Sequence, residues 1–163
     1  MLILDTSFIS IPFLWLSILE SPLHSLPSTL QVDGYKQCSY NACNLSKDCK
    51  IIDVGCGVGT DALSMLKVIG EGGEGKVVGI DRSQALLDEA TKYVHAHLEG
   101  KETLKHKVEF ITGDVYQLPF DDNYFDASRT DRVLQHLDDP LAAVKEMVGH
   151  SIFDYAASKL FNC

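Results

Sequence analysis

Positive charge is scarce in this chain. Its 163 residues carry 14 Lys and Arg against 23 Asp and Glu, a formal net charge of −9. Nucleic-acid binding draws on clustered Lys and Arg. No such cluster occurs, so no nucleic-acid partner is expected. The acidity fits a small-molecule partner that is neutral or cationic. Paired cysteine is also lacking. Cys38, Cys43, Cys49, Cys56 and Cys163 are odd in number and contain no C-x-x-C pair. Neither a disulfide framework nor a zinc site is supported, and no metal site is assigned. Reduced thiols in a cytoplasmic chain are the expectation. No Lys or Arg precedes Lys36, although Leu2 to Leu19 are rich in Leu, Ile, Phe and Trp. Phe8 to Leu19 has the apolar composition of a targeting segment, but the basic flank is missing and Asp5 and Pro12 interrupt the stretch. It is also shorter than the ~20 residues that cross a bilayer. Internal repeats and low-complexity tracts are absent, and nothing in the sequence speaks to oligomeric state.

What is present is the material of one ordinary soluble domain, with 45% apolar and 23% charged residues. Residues 1–34 form an apolar N-terminal extension, with Ser25-Leu26-Pro27-Ser28 reading as a linker. From Lys50 onward strand and helix patterns alternate, the mark of a parallel sheet with crossover helices. Lys50 to Val54 is the first strand. Thr60 is placed to cap a helix with Ala62, Leu66 and Ile69 on one face. Lys76 to Ile80 is the second strand, ending at Asp81. Ser83 opens a helix with Leu87, Ala90, Val94 and Leu98 in helical register. Gly100 to His106 is polar. Val108 to Thr112 is the third strand, ending at Gly113-Asp114. Asn123 to Ser128 reads as the fourth strand. Pro140 suits the first turn of a helix running to about Val148.

The chemistry concentrates where the strands end. Ile51-Ile52-Asp53-Val54 opens into Gly55-Cys56-Gly57-Val58-Gly59, with glycine at every second position. Such a loop turns sharply and lets backbone approach a ligand closely. Asp53, Asp81 and Asp114 stand at three strand ends, which in a parallel sheet lie side by side below the usual ligand crevice. Asp81 follows Gly59 at about the spacing at which a carboxylate accepts from a ribose diol. Asp114 is placed to accept from an exocyclic amine such as that of adenine. Asp81 or Asp114 alone reads more commonly as a helix cap or a solvated loop carboxylate; the ordered trio is what points to a ligand. A dinucleotide site would favour Gly-x-Gly-x-x-Gly and a pyrophosphate on the helix end. Here the spacing is Gly-x-Gly-x-Gly, and Asp53 would repel a pyrophosphate. The residues argue against a nicotinamide dinucleotide and toward S-adenosylmethionine, whose amino end and reactive sulfonium are cationic.

Lys50 to Val148 resembles the first half of a class I S-adenosylmethionine-dependent methyltransferase, of the broad small-molecule group that includes quinone-biosynthesis and arsenite methyltransferases. Asp53-Val54-Gly55-Cys56-Gly57-Val58-Gly59 matches the first motif, Val78-Gly79-Ile80-Asp81 the second, and Gly113-Asp114-Val115 the third. Leu118 to Asp126 matches the stretch leading into the fourth strand. Arg132-Val133-Leu134-Gln135-His136-Leu137, followed by Asp139-Pro140, resembles the helix after it. The resemblance implies an α/β, Rossmann-like three-layer sandwich with a mainly parallel sheet, and methyl transfer to a small-molecule acceptor. It implies that Gly55, Gly57 and Gly59, with Cys56, lie against the methionine and ribose parts of the cofactor, and that Asp53 helps hold its amino end. Asp81, with Arg82 beside it, would serve the ribose. Asp114 and Val115 would serve the adenine. Asp131, Arg132 and His136 would border the methyl-donor end. His136 is the one histidine considered for acid–base work, against the alternative of a solvent-facing or helix-capping side chain. Arg129 and Arg132 are expected to pair with Asp131 or Asp126.

The pattern departs from the family after Val148. No Pro-Gly-Gly turn and no further strand pattern follow, and Phe153, Ala156 and Leu160 read as a short amphipathic helix. The expectation is a partial methyltransferase domain over 35–148, incomplete at its C-terminal side, with a divergent tail over 149–163. The fourth strand would then be an exposed edge, which invites association. A shortened, non-catalytic product that associates through that edge is the alternative from another class, and a nicotinamide-dependent oxidoreductase is a second.

Overall fold

A computed structural model describes residues 45–151 together with Gly34, Lys36, Gln37 and Tyr40. The readings of residues 1–33 as an extension and of 152–163 as a helix-bearing tail lie outside the described residues. The chain divides into two units, Met1–Ala42 with Asp154–Cys163, and Cys43–Phe153. In the first unit the four described residues are helical. The second unit carries the sheet.

Its elements run β1 (Lys50–Val54), α1 (Thr60–Ile69), β2 (Lys76–Asp81), α2 (Gln84–His97), α3 (Glu102–Lys105), β3 (Val108–Thr112), β4 (Ala127–Thr130), a single 3-10 turn (Leu134–His136) and α4 (Pro140–Gly149). The four strands form one parallel sheet in the order β3-β2-β1-β4. The chain therefore steps from β1 outward through β2 to β3, then crosses to the other side of β1. In sheets of this kind the ligand position is at the carboxyl ends of the strands flanking such a reversal, here β1 and β4. The α/β architecture expected from the alternating pattern is the one observed.

β1 is buried on both faces from Ile51 to Val54, as a central strand of a parallel sheet is, with Asp53 the one polar residue inside. Alternation sends Ile52 and Val54 to one side, where they form a core with Val78, Ile80, Leu118, Phe125 and Met147. Ile51 and Asp53 face the other side. In α1 the buried residues Ala62, Leu63, Met65, Leu66 and Ile69 make one stripe, and in α2 Leu87, Ala90 and Val94 do the same. Ser83 caps α2 as expected, its hydroxyl accepting from the Leu86 N–H.

Four local expectations change. The N-cap of α1 is Gly59 in the left-handed region, and Thr60 is already helical and makes no cap bond. The polar stretch after Gly100 contains the short helix α3, whose Leu104 is buried. The fourth strand begins at Ala127, not Asn123. Asn123 has φ +56°, which breaks an extended run. Tyr124 and Phe125 look strand-like because they are aromatic, yet Phe125 is a fully buried plug set edge-on to Phe120 and Tyr124 at 4.8 and 4.9 Å. Finally, the helix expected over Arg132 to Leu137 is only the 3-10 turn. Residues 149–151 are stitched onto the segment before β4. The Phe125 N–H donates to the His150 carbonyl, the Asn123 N–H to that of Gly149, and Ser151 forms a parallel bridge with Phe125.

Candidate functional site

The glycine loop is held down on β2. The N–H groups of Gly55 and Cys56 both donate to the Ile80 carbonyl, at 2.7 and 3.1 Å. Asp81, at the end of β2, completes the attachment: one carboxylate oxygen accepts from the Gly57 N–H at 3.1 Å and the other from the Ser83 N–H at 2.9 Å. Asp81 thus fixes the loop and the start of α2 at once. The three loop glycines have different neighbours. A Cβ on Gly59 would lie 2.9 Å from the Phe110 ring and 3.1 Å from Ala90, and one on Gly55 would run into Val133. A Cβ on Gly57 would meet nothing within 4 Å. Gly55 and Gly59 therefore allow packing, while Gly57 faces open space.

Asp53 is 2% exposed and sits opposite Arg129 in the β1–β4 register, so both side chains point to the α1 face. The Arg129 guanidinium lies 2.7 Å from the Asp61 carboxylate, 3.4 Å from that of Asp53 and 3.8 Å from that of Asp131. Asp61 lies in the first turn of α1. Burial pushes the Asp53 carboxyl up to about 7; the Arg129 charge works against this, and the carboxylates of Asp61 and Asp131 add to it. Cys56 is buried beneath the loop. Burial, then the carboxylates of Asp53 and Asp81, hold its thiol far above the ordinary thiol range.

Asp114 follows β3, and the neighbouring Gly113 N–H donates to the Asp81 carbonyl at 3.1 Å, which brings these two strand ends together. The exposed Asp114 carboxylate accepts from the Tyr116 N–H at 2.9 Å, an Asx turn. Val115 packs against the core. Arg82 is exposed. Arg132 is exposed, has φ +58° and lies 3.5 Å from Asp131. Asp126 accepts from the Lys50 N–H at 2.7 Å and so fixes the entry to β1. His136 is exposed on the 3-10 turn with its Nε2 3.0 Å from the Gln135 amide nitrogen. Among the described residues no hydrogen bond ties it to the strand-end carboxylates.

The structure thus brings Asp53, Gly55, Cys56, Gly57, Asp81 and Asp131 into one neighbourhood. The parts absent from the sequence reading are the Arg129 link to Asp53 and the presence of Asp61. The available signal was an arginine inside a strand of otherwise small residues, Ala127-Ser128-Arg129-Thr130. An arginine there needs a buried anion, and Asp53 is the carboxylate on the neighbouring strand.

A sheet of this order with a glycine loop pinned at the switch point defines a Rossmann-like cofactor-binding fold. Residues 45–150 match the family model described as a methyltransferase domain, and the chain belongs to that family. It is 42% identical over 107 residues to an uncharacterized methyltransferase of Schizosaccharomyces pombe, covering 63% of this chain and 36% of that protein. It is 35% identical over 98 residues to a sterol 24-C-methyltransferase of Aspergillus fumigatus, covering 60% and 24%. Among solved structures it is similar to an arsenic(III) S-adenosylmethionine methyltransferase from Chlamydomonas reinhardtii, with 27% identity, a TM-score of 0.57 and coverage of 63% and 35%. It is similar also to the [4+2]-cyclase SpnF, with 26% identity, a TM-score of 0.64 and coverage of 78% and 43%. The chain spans less than half the length of each of these relatives. Since one fold serves both a methyltransferase and a cyclase, the site has to carry the functional assignment.

Proposed function

We propose that the chain binds S-adenosylmethionine at the carboxyl ends of β1, β2 and β3, and that the protein transfers its methyl group to a small-molecule acceptor. The observation that carries this reading is the bond from the Gly57 N–H to Asp81, which sets the glycine loop beside a strand-end carboxylate while leaving open space over Gly57. The donor set fits the cofactor. Asp53 offers a buried carboxylate to a cationic amino end, Asp81 to ribose hydroxyls, and Asp114 with Val115 to an adenine amine and ring. Gly55, Cys56 and Gly59 shape the loop, and Arg82 and Asp131 border it. When bound, S-adenosylmethionine supplies an electrophilic methyl group on a sulfonium. The residues of this chain supply orientation and exclusion of water, which suffice for transfer to a good nucleophile. His136, exposed on the 3-10 turn, is the candidate for taking a proton from the acceptor.

Isothermal calorimetry of the full chain with S-adenosylmethionine tests this reading. Binding of one equivalent is expected, weakened at least about tenfold by Asp81→Asn, the equivalent of about 1.4 kcal/mol. A folded chain that takes up no S-adenosylmethionine overturns it.

A further inference from the structure

Arg129 joins three elements that meet at the sheet's switch point. It stands on β4, in register with Asp53 on β1, and reaches Asp61 in the first turn of α1. Its side chain is 2% exposed, and that of Asp53 is 3% exposed. A guanidinium is planar and presents several N–H groups in fixed directions, so one Arg can hold two carboxylates at a set separation. Nη1 does so here, at 2.7 Å to Asp61 and 3.4 Å to Asp53. The shorter bond goes to the residue on the helix and the longer to the residue beneath the glycine loop.

We propose that Arg129 is a positioning residue of the cofactor site: anchored by Asp61, it fixes the Asp53 side chain by an ion pair and favours the anion that the cofactor's cationic amino end would meet. The proposal rests on the cofactor reading above and extends it to two residues outside the glycine-loop motif. The charges facing Asp53 are Arg129 from β4, Asp61 from α1 and Asp131 from just beyond β4, and the neutral Cys56 thiol of the loop is the other titratable group beside it. Arg129 favours the Asp53 anion, while Asp61 and Asp131 disfavour it. With burial added, the carboxyl is poised near neutrality, where loss of one neighbour moves it either way. Loss of Arg129 should raise the pH at which Asp53 ionises. Loss of the Asp61 charge should lower it, because Asp61→Asn keeps an oxygen for Arg129 while removing a like charge.

The test is calorimetry of S-adenosylmethionine binding across roughly pH 5.5 to 9, for the full-length wild type, Arg129→Gln and Asp61→Asn. The titration of the ligand's own amino group is common to all three and cancels in the ratios. Wild-type affinity should fall by about tenfold per pH unit below the midpoint. The midpoint should move up by at least half a unit, to order of magnitude, in Arg129→Gln and down in Asp61→Asn. Carboxyl-carbon NMR of Asp53 without ligand should show the same two shifts. Should Arg129→Gln fail to fold, the downward shift in Asp61→Asn still decides. A purely structural role would lower affinity by one factor at every pH and leave the midpoints together, which overturns the proposal. A wild type that binds no S-adenosylmethionine at any pH overturns the cofactor reading and, with it, this extension. Binding without any pH-dependent difference among the three overturns the extension alone.

Discussion

Lys107 and Gly70 lie 37 residues apart, yet the Lys107 ammonium donates to the Gly70 carbonyl at 3.1 Å and to the Gly72 carbonyl at the same distance. Lys107 is only 8% exposed, and Gly70 is the C-cap of α1. A cation here satisfies carbonyls that the helix end leaves without intrahelical partners and meets the negative end of the helix dipole. It also ties the loop before β2 to the residue before β3.

Lys107→Met should therefore destabilise the domain by about 1 kcal/mol, since the stem still packs but two partly solvated carbonyls lose a charged donor. Urea unfolding followed by circular dichroism measures it. A change within a few tenths would mean that water replaces the ammonium without cost.

The loop glycines should separate by position. Gly59→Ala meets the Phe110 ring at 2.9 Å with φ +75°, so both packing and backbone oppose it. A loss of about 2–4 kcal/mol is expected from overpacking and left-handed strain together. Gly57→Ala meets no neighbour and carries only the strain of φ +52°, so about 1–2 kcal/mol is expected. Its cofactor affinity should fall more than its stability, because the added methyl enters the space over the loop. Thermal melts paired with calorimetry check both.

His150 gives a pH signature. Burial disfavours its charged form, but the Asp121 carbonyl and the Glu146 carboxylate, with Asp122 nearby, outweigh that and hold it above the ordinary value of about 6.5. A group whose folded value is raised stabilises fully below its unfolded value, and that contribution is lost as pH rises through the folded value. Wild type should lose stability relative to His150→Gln as pH rises above the ordinary value of about 6.5. Parallel unfolding curves for the two proteins across that range would count against the pairing.

Cys56 should be inert. It is buried and its thiol is held protonated by burial and by the carboxylates of Asp53 and Asp81. Iodoacetamide at about pH 8 should leave Cys56 unmodified in the native chain and label it after unfolding, as read by peptide mass spectrometry. Rapid native labelling would show that the loop opens.

The sequence by itself determined the parts that depend on local order. Apolar strands ending in Asp53, Asp81 and Gly113-Asp114, separated by helical stripes, specify a parallel sheet with its ligand crevice at the strand ends, and the observed β1, β2 and β3 follow that reading. Glycine spacing and one carboxylate argued for S-adenosylmethionine over a dinucleotide, the reading proposed above, because sterics and charge at a loop are local properties. Where local signals conflicted with packing, packing decided. Tyr124 and Phe125 have strand-forming side chains, but the left-handed Asn123 and the core beneath Phe125 delay β4 to Ala127. The tertiary structure alone decided what each charge does. Arg129 and Asp61 are 68 residues apart, and Arg129 and Asp53 are 76 apart. Their meeting depends on β4 crossing to the far side of β1 and on the register that sets Asp53 opposite Arg129. A buried charge is tolerable only with its counter-charge in place, and that condition is met by topology, across separations that no local spacing encodes.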